Sequence, residues 1–262
     1  MLEFLLTSCN AHFHKFYFTF PCITLLIEHS PNSQRPAKAI FSLRLYKSIL
    51  SDLQFQKTMS RLYLFSIDLI SSVPGQTLQE WKEELETAAA QNPEHISVYQ
   101  LIIEEGTPFY EKYAEHPELL PDEETGREIY LWTGKFLKEA GYEQYEISNY
   151  AKPGKESRHN LKYWERGDYL GLGLGAASMV RNIRMSNTKD MRTYLERCDK
   201  PKTMREDVQF LEEPRQMEEF MFLGLRKTRG VSKKEFKRIF GREMDMVYEK
   251  ALHKCLENGM LL

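Results

Sequence analysis

The chain has 262 residues, with 36 Lys and Arg against 38 Asp and Glu, a formal net charge of −2, and 12% aromatic residues. That length suits one large domain or two small ones, and the near-neutral charge provides no field that would draw nucleic acid or a membrane surface. The four cysteines, Cys9, Cys22, Cys198 and Cys255, are too scattered for a local metal-binding spacing and fit a reducing compartment better than a disulfide framework.

The first 60 residues carry no clear pattern. "HFHKFYFTFPCITLLIEHS" is rich in Phe and His without a period of 3.6 or 2. Its apolar run, 16–27, is too short to span a bilayer. Leu6 to Cys9 resembles a lipoprotein cleavage box only faintly, and no Lys or Arg precedes it, so no signal peptide is expected. Residues 29–39, with two prolines, read as a linker, and 1–60 as a poorly specified leader.

From Leu62 the elements become readable. "YLFSIDLI" (63–70) is a buried strand, followed by a Pro-Gly turn at 71–76. Thr77 and Glu80 form a capping box ahead of a helix whose apolar face is Leu78, Trp81, Leu85, Ala88 and Ala89. "HISVYQLII" (95–103) is the next strand, which makes 63–103 a right-handed β-α-β unit. A turn-rich connection covers 104–124. The following helix presents Ile129, Tyr130, Phe136, Leu137 and Ala140 on one side and stops at Gly141. "YEQYEIS" (142–148) alternates like a strand.

"RHNLKYW" (158–164) gathers Arg, His, Asn, Tyr and Trp and has two readings. It is a loop in which His159 and Asn160 hold the backbone while Tyr163 and Trp164 fill the core, or it is a site that grips a flat, aromatic, metal-bearing ligand. "DYLGLGLGAAS" (168–178) is glycine-rich, but Gly171, Gly173 and Gly175 lack the dinucleotide-binding spacing and read as close backbone packing beside a site. The remainder is helical. Met217, Phe220 and Met221 share a face. Ser232 and Glu235 form a second capping box before Phe236, Ile239, Phe240 and Gly241. One last helix carries Met244, Val247, Tyr248, Ala251, Leu252, Cys255 and Leu256 up to Gly259. The methionines read as core filler, and the whole as a small winged-helix-like module.

Five stretches, "IDLISSVPGQT", "EHISVYQLIIEEGTPFY", "GYEQYEISNYAKPG", "RHNLKYW" and "YLGLGLGAAS", resemble the HemW family in content and order. These are radical S-adenosylmethionine proteins similar to oxygen-independent coproporphyrinogen III oxidase. The resemblance covers residues 62–262. It implies an α/β fold: a partial radical-SAM (β/α) barrel at 61–190, then an incomplete HemN-type C-terminal helical module at 191–262, behind a leader at 1–60 foreign to the family. A half barrel is expected to leave an unpaired edge at the 63–70 strand.

The function implied is that of a haem chaperone, which binds haem and passes it to haem-accepting proteins in the cytoplasm or at the periphery of a membrane, with no transmembrane segment and no nucleic-acid partner. The alternatives are an oxygen-independent coproporphyrinogen III oxidase of porphyrin biosynthesis and a non-functional truncated fragment. By resemblance, Asp68 and Ile102 contact S-adenosylmethionine, while Arg158, His159, Asn160, Tyr163 and Trp164 bind haem, His159 through the iron. The family holds a 4Fe–4S cluster on a Cys-x-x-x-Cys-x-x-Cys triplet that this sequence lacks, so neither the cluster nor radical enzyme chemistry is expected here. Ala177 stands where the family often has His.

Overall fold

The structure, a computed structural model, describes residues 65–260 together with the backbone of three strands at 15–20, 23–28 and 38–43. Cys9, Cys22 and residues 29–37 of the expected linker lie outside the described residues. Two compact units divide the chain, 1–156 and 157–262, and each is described by itself.

The first unit is built on β1 (Lys15–Phe20), β2 (Ile23–Glu28), β3 (Lys38–Leu43), β4 (Phe65–Ser71), α1 (Leu78–Ala90), β5 (His95–Gln100), α2 (Pro108–Tyr113), α3 (Glu123–Glu139), β6 (Glu143–Glu146) and β7 (Asn149–Ala151). Its seven strands form one sheet in the order β1-β2-β3-β4-β5-β7-β6. β4 and β5 pair in parallel across α1, as expected of a β-α-β unit. The expected bare edge at β4 is absent. β3 pairs with it in parallel, from Ala39 opposite Phe65 to Ser42 opposite Asp68. The Phe-rich leader thus follows its β-propensity, although its periodicity hides it.

Phe65, Ile67 and Leu69 alternate along β4 into the core, where they meet Trp81 and Leu85 of α1 and Ile129 and Leu137 of α3. The α1 capping box is complete: Thr77 accepts from the Glu80 N–H and the Glu80 carboxylate accepts from the Thr77 N–H. α3 corrects its expected face. The buried line is Gly126, Ile129, Thr133 and Leu137, one residue per turn, while Tyr130 is 47% exposed and Ala140 lies outside the helix. Thr133 is polar, yet its hydroxyl is satisfied inside, accepting from Trp81 and donating to the Ile129 carbonyl. The 142–148 strand also divides: β6 ends at Glu146, and the chain turns back into β7, which pairs antiparallel with β6 and β5.

The second unit comprises α4 (Arg158–Trp164), β8 (Ala177–Val180), β9 (Ile183–Asn187), α5 (Met191–Arg197), β10 (Arg205–Phe210), α6 (Glu213–Gly224), α7 (Lys233–Phe240), α8 (Met244–Val247) and α9 (Glu249–Glu257). β8, β9 and β10 form an antiparallel sheet. Arg181 and Asn182, both at positive φ, make the two-residue β8–β9 turn, in which Asn is the one local signal. Met217, Phe236 and Met244 centre the helical core, with Phe220, Met221, Phe240 and Tyr248 against them. The second capping box is half-formed: Ser232 accepts from the Glu235 N–H, but the Glu235 carboxylate pairs with Arg238. Ile239 is 45% exposed and outside the core. The single last helix breaks at Tyr248, between α8 and α9.

Candidate functional site

The face of the first sheet opposite the hydrophobic core is polar. Residues alternate along β4, so Ser66 and Asp68 lie opposite to Ile67 and Leu69. The parallel register sets Ser66 beside His95 and Asp68 beside Ser97. The antiparallel register sets Ser97 beside Asn149. The His95 ring lies between two hydroxyls, with Nδ1 2.8 Å from Ser66 Oγ and Nε2 2.8 Å from Tyr145 OH. Burial holds this imidazole down at about 4, so it is neutral at pH 7.

Asp68 is hydrogen-bonded to Ser97; burial pushes its carboxyl up, partly offset by that bond. Tyr99, bonded to Ser97 and Asn149, is also raised by burial. Glu146 accepts from the Ser148 N–H at 2.8 Å and from the Asn149 amide. Of the sequence candidates in this unit, Asp68 is therefore built into a polar network. Ile102 lies two residues beyond β5 with its side chain 78% exposed. His95, Ser97 and Tyr99 escaped sequence reasoning, although the His-x-Ser-x-Tyr alternation in "HISVYQ" is visible in the sequence.

The "RHNLKYW" segment is a helix, not a loop. Ser157 caps it by accepting from the Asn160 N–H at 3.3 Å. Helical spacing sorts its candidates onto two faces. His159 and Tyr163 meet edge to face at 4.8 Å, and Tyr163 meets Tyr169 at 4.6 Å. Arg158 and His159 are exposed and Tyr163 is half-buried. The His159 ring nitrogens form no hydrogen bond among the described residues. Trp164 instead lies under the Arg226 guanidinium, which sits 4.4 Å from the ring centroid, and its indole nitrogen is buried without a partner among the described residues. α4 packs on α6, and Asn160 is half-buried one turn before Trp164.

The donor sets decide which groups this chain suits. An iron–sulfur cluster needs several thiolates. Cys198 is exposed and Cys255 half-buried, and no group of three metal-ligating side chains exists among the described residues. That set does not fit a cluster. A haem iron takes an axial ligand such as a His imidazole, a Met thioether, a Cys thiolate or a Tyr phenolate. His159 fits one such position, and Ala177 offers no second.

Residues 211–262 match the HemN C-terminal domain. The fold is similar to that of the coproporphyrinogen III oxidase HemN from Escherichia coli, a radical SAM enzyme, with a TM-score of 0.65 at 17% identity over 84% of this chain and 56% of that one. The architecture is thus α/β with a fold like that of HemN, and it ends in a HemN-type helical module.

In sequence the chain is HemW-like. It is 38% identical to the heme chaperone HemW of Bacillus subtilis over 75% of this chain and 52% of that protein. It is 34% identical to the HemW of Lactococcus lactis over 75% and 51%, and 40% identical to that of Escherichia coli over 50% and 35%. The chain spans about half the length of the first two relatives. Among the described residues, no helix is long and apolar enough to cross a membrane.

Proposed function

We propose that the chain binds haem and hands it to haem-accepting proteins, in keeping with the name of its HemW relatives, and that the exposed face of α4 is where it binds. The observation that carries this reading is the state of His159: exposed, its ring nitrogens free of hydrogen bonds among the described residues, and its ring set edge-on by Tyr163. A neutral imidazole is a good iron ligand. Arg158, one residue away and also exposed, offers a planar fork to a propionate. Tyr163 supplies apolar cover. Trp164 and Asn160 support from the α6 side, Trp164 through its stack with Arg226.

On the polar face of the first unit, the half-buried Asp68 carboxyl and buried Ser97 hydroxyl suit the ribose hydroxyls of a nucleoside such as S-adenosylmethionine, with Ile102 as an apolar contact. Bound there, S-adenosylmethionine would act as a ligand, since this chain's own thiols do not fit the cluster that would reduce it. We place the protein in the cytoplasm, with haem-dependent proteins as its partners. Haem titration followed by mixing with a haem-free acceptor tests the proposal. A stoichiometric Soret band that then shifts to the acceptor's spectrum is expected. Haem that stays unbound, or never leaves, contradicts it.

A further inference from the structure

We propose that the glycine-leucine loop at 170–175 is an apolar wall that takes the macrocycle of a tetrapyrrole carrying carboxylate side chains. This inference rests on the haem reading of α4 and extends it to a surface with no part in iron ligation.

Three leucines stand exposed within five residues: Leu170 at 61%, Leu172 at 85% and Leu174 at 40%. A single exposed leucine signifies nothing, but a cluster on a fixed loop marks a contact surface. This loop is fixed by its own polar groups. The Gly171 N–H donates to the buried Ser178 Oγ at 3.0 Å. The buried Asn187 amide donates to the carbonyls of Gly171 and Gly173 at 3.4 and 2.8 Å, and the Gly175 N–H donates to the Thr188 carbonyl at 2.9 Å. The backbone thus turns its polar groups inward, and the leucines are left outside without polar neighbours to satisfy. A pre-formed apolar surface loses little entropy on binding.

The occupant follows from what adjoins the loop. Tyr169, immediately before Leu170, exchanges two backbone hydrogen bonds with Met179 at 2.8 and 2.9 Å and touches Tyr163 edge to face. The aromatic series His159–Tyr163–Tyr169 therefore runs directly into the leucines. Arg158 and Lys162, both exposed and one helical turn apart on α4, supply cations for carboxylates. An extended apolar plane bearing acidic groups complements both features. An anionic lipid would use the leucines and the cations, and a second copy of this chain the leucines, but neither has a use for an exposed imidazole at the end of the aromatic series.

The experiment separates wall from iron ligand by using both haem and metal-free protoporphyrin IX on the full chain. For Leu170→Ser/Leu172→Ser, we expect about tenfold weaker binding of both porphyrins, with the Soret maximum of the fully loaded haem complex unchanged. For His159→Ala, we expect a changed haem spectrum and metal-free porphyrin affinity within about twofold of wild type. If the double variant does not fold, Leu172→Gln alone, at the most exposed of the three positions, is used and should give a smaller loss in the same direction. Wild-type affinity for both porphyrins in the leucine variant overturns the wall and leaves the His159 reading intact. A change of oligomeric state or vesicle binding without a change in porphyrin affinity also overturns it, in favour of those occupants. If wild type binds neither porphyrin, the haem reading itself fails and the wall with it.

Discussion

Trp81 on α1 donates its indole N–H to the Thr133 hydroxyl on α3 at 2.8 Å, between two buried side chains 52 residues apart. Thr133 in turn donates to the Ile129 carbonyl at 2.7 Å, so every polar atom of the pair is satisfied in the core. Thr133→Val keeps the shape but strands the indole N–H, and is expected to destabilise the protein by about 1–3 kcal/mol. Thr133→Ser retains the acceptor and should cost less. Urea unfolding of the two variants measures this, and equal midpoints would contradict it.

Glu219 on α6 is fully buried, with its oxygens at 3.0 Å from Arg166 Nε and 2.9 Å from Arg184 Nη2. Arg166 also donates to the Asn182 side chain at 2.9 Å, which ties α6 to the β8–β9 turn. Removing the carboxylate with Glu219→Ala leaves a buried cation uncompensated and should cost about 3–5 kcal/mol. The two arginines should differ. Arg166 is 10% exposed and Arg184 39%, so Arg184→Ala is expected to be the milder change, since water screens its pair. The reverse order in thermal unfolding would show that the exposed arginine dominates the triad.

Burial depresses the His95 imidazole from its ordinary 6.5 to about 4. The unfolded chain therefore takes up this proton first as the pH falls. The stability is present above pH 6.5 and is lost on the way down to about 4, by on the order of 3 kcal/mol. Asp68 works the other way: its folded carboxyl is raised by burial, so folding is relieved as the pH falls through that raised value toward 3.8. His95→Asn should flatten the loss between pH 6.5 and 4. Wild-type and variant stability curves that run parallel across this window would show that His95 does not control it.

Gly171 approaches β8 so closely that a Cβ there would meet the Ala177 carbonyl oxygen at 2.2 Å. Gly171→Ala must push backbone against backbone and is expected to cost about 1–3 kcal/mol. Gly173→Ala meets no atom within 4 Å but sits at φ +111°, so its penalty is conformational strain alone. Circular dichroism melts that are unchanged for Gly171→Ala would mean the loop shifts freely, and the leucine wall would lose its fixed frame.

The parts of this fold legible in the sequence are those written in local pattern. The Thr77–Glu80 box, the Trp81–Leu85–Ala88 face and the parallel β4–β5 pair all rest on neighbours within a few turns. Asp68 is singled out only by the family resemblance of its stretch, not by a local period. What escaped depends on register or on context. The partners of His95 lie 29 and 50 residues away, and no local period reveals them. β3, KAIFSL, shows no alternation of polar and apolar residues. The Arg181–Asn182 turn lacks the glycine that usually announces one. α4 reads as a loop because seven residues are too few to show a period, although Ser157 three residues before Asn160 is an N-cap signal.

If His159 on α4 supplies the iron bond, a haem titration separates wild type from His159→Ala. His159 is exposed and its ring nitrogens have no hydrogen bond among the described residues, so the substitution should leave far-UV circular dichroism unchanged. Wild type is expected to show a Soret band that is shifted or lost in His159→Ala. Identical haem spectra and titration curves for the two proteins would contradict it and leave α4 as a packing helix.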